Sequence, residues 1–391
     1  MTELMRTEPR FSRRQVLIGG VRLGGATAGI AVAGMPLLAG SPTASTLPGG
    51  SGSRVQMERV ETIYSDGQHN GFTSLASWRG KFYVAFRAAA AHATPWDEGW
   101  EQFDLKPGRI VLLESSDLHR WQPTVVLNTP HDDRDPKLLA TKDRLFVFAT
   151  SITGPATTTF PQQTFMVSTT DGQQWTNPVD VYTENYGFWQ PKTLGGRHYV
   201  AADVDVTPPG SSRRLMQVEL LSSTDGERWR SESVITRDGK RTETSLVFLE
   251  DDSLLAIVRQ NDVRIAKPPY TDWQGVGADE GERYKIMPIG IPGPAAVRIG
   301  ETVLVICRGR KQEFPDDQPG QYRTSVFLLD RSDMSLEWQG NLPTEWGGDQ
   351  SYAGILPTAD GRVLVSYYDG ELYESGVPKR SDVKLATLRV R

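Results

Sequence analysis

Four copies of one short motif set the terms for what this chain can fold into. Ser115-Ser116-Asp117-Leu118-His119-Arg120-Trp121, Thr169-Thr170-Asp171-Gly172-Gln173-Gln174-Trp175 and Ser223-Thr224-Asp225-Gly226-Glu227-Arg228-Trp229 place their aspartates 54 residues apart. Ser332-Asp333-Met334-Ser335-Leu336-Glu337-Trp338 follows two periods on. So regular an interval means a repeated structural unit. Each copy reads as a hairpin turn. The carboxylate accepts hydrogen bonds from its own turn backbone, Gly172 or Gly226 supplies a positive φ, and the tryptophan packs beneath the loop. These aspartates are therefore read as structural.

A second series shares the period. Turn-plus-strand stretches open at Gly80, Asp143, Gly196, Asp252, Gly300 and Asp360, each running into a β-branched or aromatic segment such as Phe82-Tyr83-Val84-Ala85-Phe86 or Val303-Leu304-Val305-Ile306-Cys307. Helical periodicity is almost absent. Each stretch is expected to be the second strand of a four-stranded antiparallel blade, following a first strand roughly ten residues earlier. Residues 55–391 are thus expected to form a single all-β domain, a six-bladed β-propeller, with radial closure limiting exposed edges.

The first residues differ in kind. Arg10-Phe11-Ser12-Arg13-Arg14-Gln15-Val16-Leu17-Ile18 precedes a Gly/Ala-rich, weakly apolar stretch. Paired arginines ahead of such a stretch resemble a twin-arginine export signal. Residues 1–45 are read as that signal and 46–54 as a linker. Arg22 and the glycines interrupt any run long enough to span a bilayer, so no membrane association is expected once the signal is removed. The 391-residue chain carries a formal charge of −5 with no basic tract beyond the signal, which argues against a nucleic-acid partner. Cys307 is the only cysteine, so an internal disulfide is impossible, and its apolar surroundings predict an inert buried thiol. No Cys/His zinc spacing or EF-hand loop occurs, so no metal or other cofactor is expected. Calcium held by dispersed aspartates would leave no local pattern. The chain is expected to act as a monomer.

In a propeller the innermost strands face a common funnel, so chemistry is sought in the segments leading into them. Those segments hold His69-Asn70, Arg134-Asp135-Pro136-Lys137, Trp189-Gln190-Pro191-Lys192, Glu243-Thr244 and Asp349-Gln350-Ser351-Tyr352. The ends of the second strands add Arg87, Arg259 and Arg308, and the loop after Arg87 adds His92. Carboxylates, arginines, an imidazole, a tyrosine and an indole converging from separate blades suit a carbohydrate. Glu243 could instead cap a turn or pair with Arg241. Asp135 could belong to an inter-blade ion cluster with Asp132, Asp133 and Arg134. Tyr352 could simply pack across the funnel. His119, His131 and His198 are read as structural or solvated.

The resemblance lies in these same residues. His69-Asn70-Gly71-Phe72-Thr73-Ser74-Leu75, Phe82-Tyr83-Val84-Ala85-Phe86-Arg87, Arg134-Asp135-Pro136-Lys137-Leu138, Pro269-Tyr270-Thr271-Asp272-Trp273 and Gly347-Gly348-Asp349-Gln350-Ser351-Tyr352 make residues 60–391 resemble the sialidase-like, BNR-repeat (Asp-box) propeller superfamily. The likeness is strongest to a bacterial secreted branch that includes glycosidases and rhamnose–glucuronate-cleaving enzymes. It implies Asp135 as acid/base, Glu243 and Tyr352 as nucleophilic pair, and Arg87, Arg259 and Arg308 as anchors for a substrate carboxylate. His92, Arg134, Lys137, Trp189, Gln190, Lys192, Asp349 and Gln350 would complete substrate binding. The Arg-Ile-Pro segment that sialidases carry before the first blade is replaced here by His69-Asn70.

The function expected is an exported glycoside hydrolase releasing a terminal, anionic sugar from a glycan. One alternative is a lyase cleaving beside a uronic acid, with His69 moving the proton; another is a sugar-binding propeller without catalysis. Export itself is directly testable. Replacing Arg13 and Arg14 by lysine is expected to hold the precursor in the cytoplasm, read by fractionation and immunoblotting. Unchanged secretion of that double variant would show that the general secretory route suffices.

Overall fold

The computed structural model describes residues 45–47, 53–92, 107–154, 161–212, 214–237, 242–259, 262–275, 291–310, 322–371 and 380–391. The segment read as an export signal, apart from Ser45, lies outside the described residues, as does much of the segment read as a linker.

The described chain is built of strands. It begins with β1 (Ser45–Thr46), β2 (Val55–Tyr64), β3 (His69–Trp78), β4 (Lys81–Ala89), β5 (Arg109–Ser115) and β6 (Gln122–Leu127). A second sheet follows with β7 (Asp132–Ala140), β8 (Leu145–Ile152), β9 (Gln162–Thr169) and β10 (Val179–Asp180). The third contains β11 (Gly187–Phe188), β12 (Lys192–Leu194), β13 (Arg197–Asp205), β14 (Met216–Ser223) and β15 (Arg230–Arg237). The fourth holds β16 (Thr244–Phe248), β17 (Leu254–Val258), β18 (Asp262–Ala266) and β19 (Gln274–Gly275). The fifth holds β20 (Ala295–Ile299), β21 (Thr302–Arg310), β22 (Tyr322–Leu329) and β23 (Leu336–Asn341). Finally β24 (Gln350–Pro357), β25 (Arg362–Gly370) and β26 (Ser381–Val390) return to the first sheet, where β26 pairs antiparallel with both β25 and β2.

The all-β class and the four-stranded antiparallel blade are present, but the expected count of six blades is corrected. Four blades, the second to fifth sheets, stand separately. All other strands form one continuous nine-stranded sheet, joined where Ser381 of β26 pairs in parallel with His69 of β3. Repeat spacing counts turn-plus-strand units along the chain. It is blind to a backbone pairing between segments at opposite ends of the sequence, so it divides what hydrogen bonds unite.

The first strands lie side by side around a common centre. β24 packs on β3, β3 on β7, β12 on β16, β16 on β20 and β20 on β24, while β11 reaches back to β8. Behind them several inner strands are buried along their whole length, among them β8, β14 and β17. Leu254, Leu255, Ala256, Ile257 and Val258 of β17 are all fully buried, and so is Cys307 on β21.

The aspartate turns carry out the hydrogen bonding that their sequence requires. The Oδ1 atom of Asp171 accepts from the amides of Gln173 and Gln174, both at 2.8 Å. Asp117 serves His119 and Arg120 in the same way, and Asp225 serves Glu227 and Arg228. These backbone donors hold all three carboxyls below their ordinary range. Gly172 and Gly226 adopt φ of 81° and 78°, and Leu118 must adopt 63° where its copy lacks glycine. The tryptophans are less uniform than the motif suggests. Trp229 is buried edge-on against Phe148 and Phe188, with Nε1 donating to the Gly226 carbonyl, whereas Trp175 is only half-buried. Trp229→Ala is therefore expected to cost about 3–5 kcal/mol in denaturant unfolding, and Trp175→Ala clearly less. Equal losses would contradict this packing.

Candidate functional site

A cavity of ≈ 530 Å³ opens where the first strands meet, within the range of small-molecule sites. Three of those strands depart from regular pairing at the cavity wall. β3 shifts register between Gly71 and Ser74, β7 between Arg134 and Lys137, and β24 between Ser351 and Gly354. Each shift contains a non-glycine residue at positive φ: Phe72 at 61°, Asp135 at 48° and Tyr352 at 48°. All three line the cavity. A bulge inserts a residue that ordinary alternation would turn elsewhere, at a cost of order 1–3 kcal/mol per strained residue.

Glu243, just before β16, is the centre of the wall. Its Oε1 accepts from the Tyr352 hydroxyl and from Nη1 of Arg259, each at 2.9 Å, and its Oε2 accepts from the Gly293 amide at 2.6 Å. Gly293 sits at φ 61°, and a Cβ there would meet the Tyr352 ring at 3.0 Å, so glycine is required by both conformation and space. Burial, reinforced by the charge of Glu243, raises the Tyr352 phenol above its ordinary value. The tyrosine is thus a hydroxyl whose proton already points at a carboxylate, which is the arrangement by which a phenol becomes a nucleophile. The charge of Glu243 likewise raises Arg259.

Arg308 stands on the other side of Tyr352, its guanidinium 4.7 Å from that ring's centroid. It donates from Nε to the Gln350 carbonyl and from Nη2 to Asp349 Oδ1, both at 2.8 Å, and to the Tyr368 hydroxyl at 2.6 Å. Asp349 is fully buried and also receives the Tyr368 hydroxyl at 3.0 Å. On its Oδ2 it bonds His69 Nε2 at 2.8 Å and His92 Nδ1 at 2.6 Å. Burial alone would raise its carboxyl, but His92, Arg308 and His69 outweigh it and hold Asp349 well below the usual carboxylate range. His69 is driven the other way, to about 4, chiefly by burial. The donor atoms of His69, His92 and Asp349 lie within 4.8 Å of one another, a spacing a cation could bridge. Four hydrogen bonds already saturate the carboxylate without one.

Of the residues singled out from sequence, Asp135, Glu243, Tyr352, His92, Arg134, Trp189, Arg259 and Arg308 are brought together on the cavity wall. Arg134 lies 4.7 Å above the Phe72 ring and 3.5 Å from Asp135. Trp189 anchors its indole N–H on the Pro294 carbonyl at 2.8 Å. Others are turned inward. Arg87, expected to hold a substrate carboxylate, is instead wholly buried, with Nε and Nη2 on Asp132 Oδ1 at 3.1 and 2.7 Å. His69 is wholly buried as well. Lys137 lies 4.0 Å from the Trp189 ring centroid and Lys192 donates to the Ala296 carbonyl at 3.2 Å; burial lowers both ammonium groups to about 8. Gln190 donates to the Ala353 carbonyl of β24, across the ring, and Gln350 of β24 donates to the Tyr322 carbonyl of β22 in the fifth sheet.

Two charged wall residues, Asp203 and Arg214, escape the sequence pattern. Asp203 of β13 pairs with Gly187 and so occupies the strand-end position at which other units carry arginine. The signal was present in Ala201-Ala202-Asp203-Val204-Asp205, an acid within an apolar strand, two residues beyond where the turn-plus-strand pattern stops. Burial first, then repulsion from Glu243 and Asp135, raises its carboxyl to about 7.

Neither a protein-family model nor a curated protein sequence matches the chain. Solved structures do. A protein of unknown function from Dyadobacter fermentans superimposes with a TM-score of 0.65 at 18% identity, covering 86% of this chain and 99% of that one. The Trypanosoma rangeli sialidase in complex with the inhibitor DANA gives 0.58 at 12% identity, over 82% of this chain and 55% of the sialidase. The same sialidase in complex with sialic acid gives 0.57 at 11% identity, over 89% and 59%. This chain spans little more than half of the sialidase, and at such identities the likeness is one of fold.

Proposed function

We propose that this protein is a carbohydrate-active enzyme, a glycosidase that releases a terminal anionic sugar from a glycan. The observation that carries the reading is the Tyr352–Glu243 pair, 2.9 Å apart on the wall of a cavity that also presents Arg259 and Arg308. The fold shared with a sialidase supports it, and the twin-arginine segment supports action outside the cytoplasm.

In this reading Arg259 and Arg308 bind the carboxylate of the sugar, each through charge-assisted hydrogen bonds. Trp189 and Phe72 offer aromatic faces to its apolar edges. The Tyr352 oxygen attacks the anomeric carbon as its proton passes to Glu243, and a second carboxyl on the wall protonates the departing oxygen. The lyase alternative placed proton transfer on His69. That imidazole is wholly buried and engaged with Asp349, so it offers no proton acceptor to a ligand in the cavity, which favours hydrolysis over elimination.

Release of free sugar from sialosides and uronosides, followed by mass spectrometry, tests the proposal. Tyr352→Phe and Glu243→Gln are expected to abolish measurable turnover while ligand binding and melting temperature stay close to wild type. Arg259→Ala and Arg308→Ala are expected to weaken binding by about 1.5–3 kcal/mol each, appearing mainly in KM. Wild-type binding of glycans without turnover of any would favour a lectin-like role and overturn the catalytic reading.

A further inference from the structure

We infer that Asp203 is the acid/base residue of this site, in place of Asp135; the inference rests on the glycosidase reading above. Three geometric observations lead there. The first is position. Around the ring of first strands, the blade bearing Asp203 lies opposite β24, which bears Tyr352. A sugar seated between them would have the attacking oxygen on one face and the Asp203 carboxyl toward the other, as double displacement demands.

The second is pairing. Both carboxyls are half-buried on the cavity wall, but Asp135 Oδ2 faces the Arg134 guanidinium at 3.5 Å, a cation that would hold it ionised. The third is what Asp203 lacks. Its carboxylate oxygen receives only the Gln162 side-chain amide, at a long 3.3 Å, and among the described residues it forms no ion pair. A partly buried carboxyl that no cation contacts is set to keep its proton. The groups that face it are Gln162 from β9, Asp135 from β7, Glu243 before β16 and Arg214 before β14; burial and the two acids raise it to about 7, against Gln162 and Arg214.

The step balances. The Asp203 O–H proton moves to the glycosidic oxygen as the bond from that oxygen to the anomeric carbon breaks. The new bond forms from the Tyr352 oxygen, whose proton goes to Glu243. In the second half, Asp203 takes a proton from the attacking water, the carbon–tyrosine bond breaks, and Glu243 returns its proton to Tyr352.

The test compares 4-nitrophenyl and methyl glycosides of N-acetylneuraminic acid and of glucuronic acid, which differ in how much protonation their leaving groups need. Asp203→Asn is expected to lower turnover of the methyl glycoside about 100-fold or more, while the nitrophenyl glycoside stays within about 10-fold and is restored by azide. Asp135→Asn is expected to lower both alike. The wild-type kcat/KM should fall as pH rises through about 7, when the acid loses its proton, and Asp203→Asn should lose that limb. Azide rescue also shows that the variant is folded. If Asp203→Asn loses both substrates equally, or Asp135→Asn shows the split, the assignment falls and the glycosidase reading stands. A wild type that cleaves none of the four overturns the glycosidase reading, and this assignment with it.

Discussion

The rest of this structure depends on the pairing of β2 with β26, which runs from Val55↔Val390 to Tyr64↔Val383 and binds the beginning of the domain to its end. Until that ladder forms, the ring of first strands is open and the cavity has no defined walls. Its cost is loop closure over almost the whole domain. Its return is a core in which Leu47 and Val55 pack with Leu304, Val326, Val365 and Leu388, from both ends of the nine-stranded sheet and from the fifth sheet. Asp349 depends on the same closure, because its donors come from β3, the loop after β4, β21 and β25. A buried carboxylate with four donors is sound only while all four are in place; opening the ring would strand it.

The electrostatics of the cavity follow from how unevenly counter-charge is shared. Asp349 and Glu243 are surrounded by donors, and through them Arg308 and Arg259 are held in place. Asp203, across the cavity, is left with one weak amide contact. Burial raises the Asp203 carboxyl on the cavity wall, while the donors around Asp349, buried behind that wall, hold its carboxyl low, so neighbouring carboxyls are set apart by their surroundings alone. The buried lysines play another part. Lys137 beneath Trp189 and Lys192 against Ala296 stiffen the floor rather than face a ligand.

Much of this was legible in the sequence because it is local. Turn chemistry at Asp117, Asp171 and Asp225 needs only residues within the turn, and the apolar runs after Gly80, Asp143, Gly196, Asp252, Gly300 and Asp360 all lie in strands. Glu243, Tyr352, Arg259 and Arg308 could be placed together because each sits at the same level of its own unit. What escaped depends on contacts between units. Arg87 shares the strand-end position of Arg259, yet Asp132 from the next sheet captures it and turns it inward. His69 is lost to the cavity for the same kind of reason, through Asp349. The blade count erred where Ser381 meets His69, a pairing that no periodicity announces. Asp203 is missed because the turn-plus-strand pattern stops at Ala201, whereas the strand itself runs on to Asp205.

The register shifts at Phe72, Asp135 and Tyr352 have a consequence for how such a cavity can change over generations. A regular strand couples its two faces, so altering what points at a ligand disturbs the packing rows on either side. A bulged residue is released from that coupling, since its partner strand does not count it. Phe72, Asp135 and Tyr352 can therefore be exchanged as contents of the cavity without rewriting the blades that carry them. Specificity is stored at a few positions that have opted out of the sheet's arithmetic, while the ladders on either side keep the container constant.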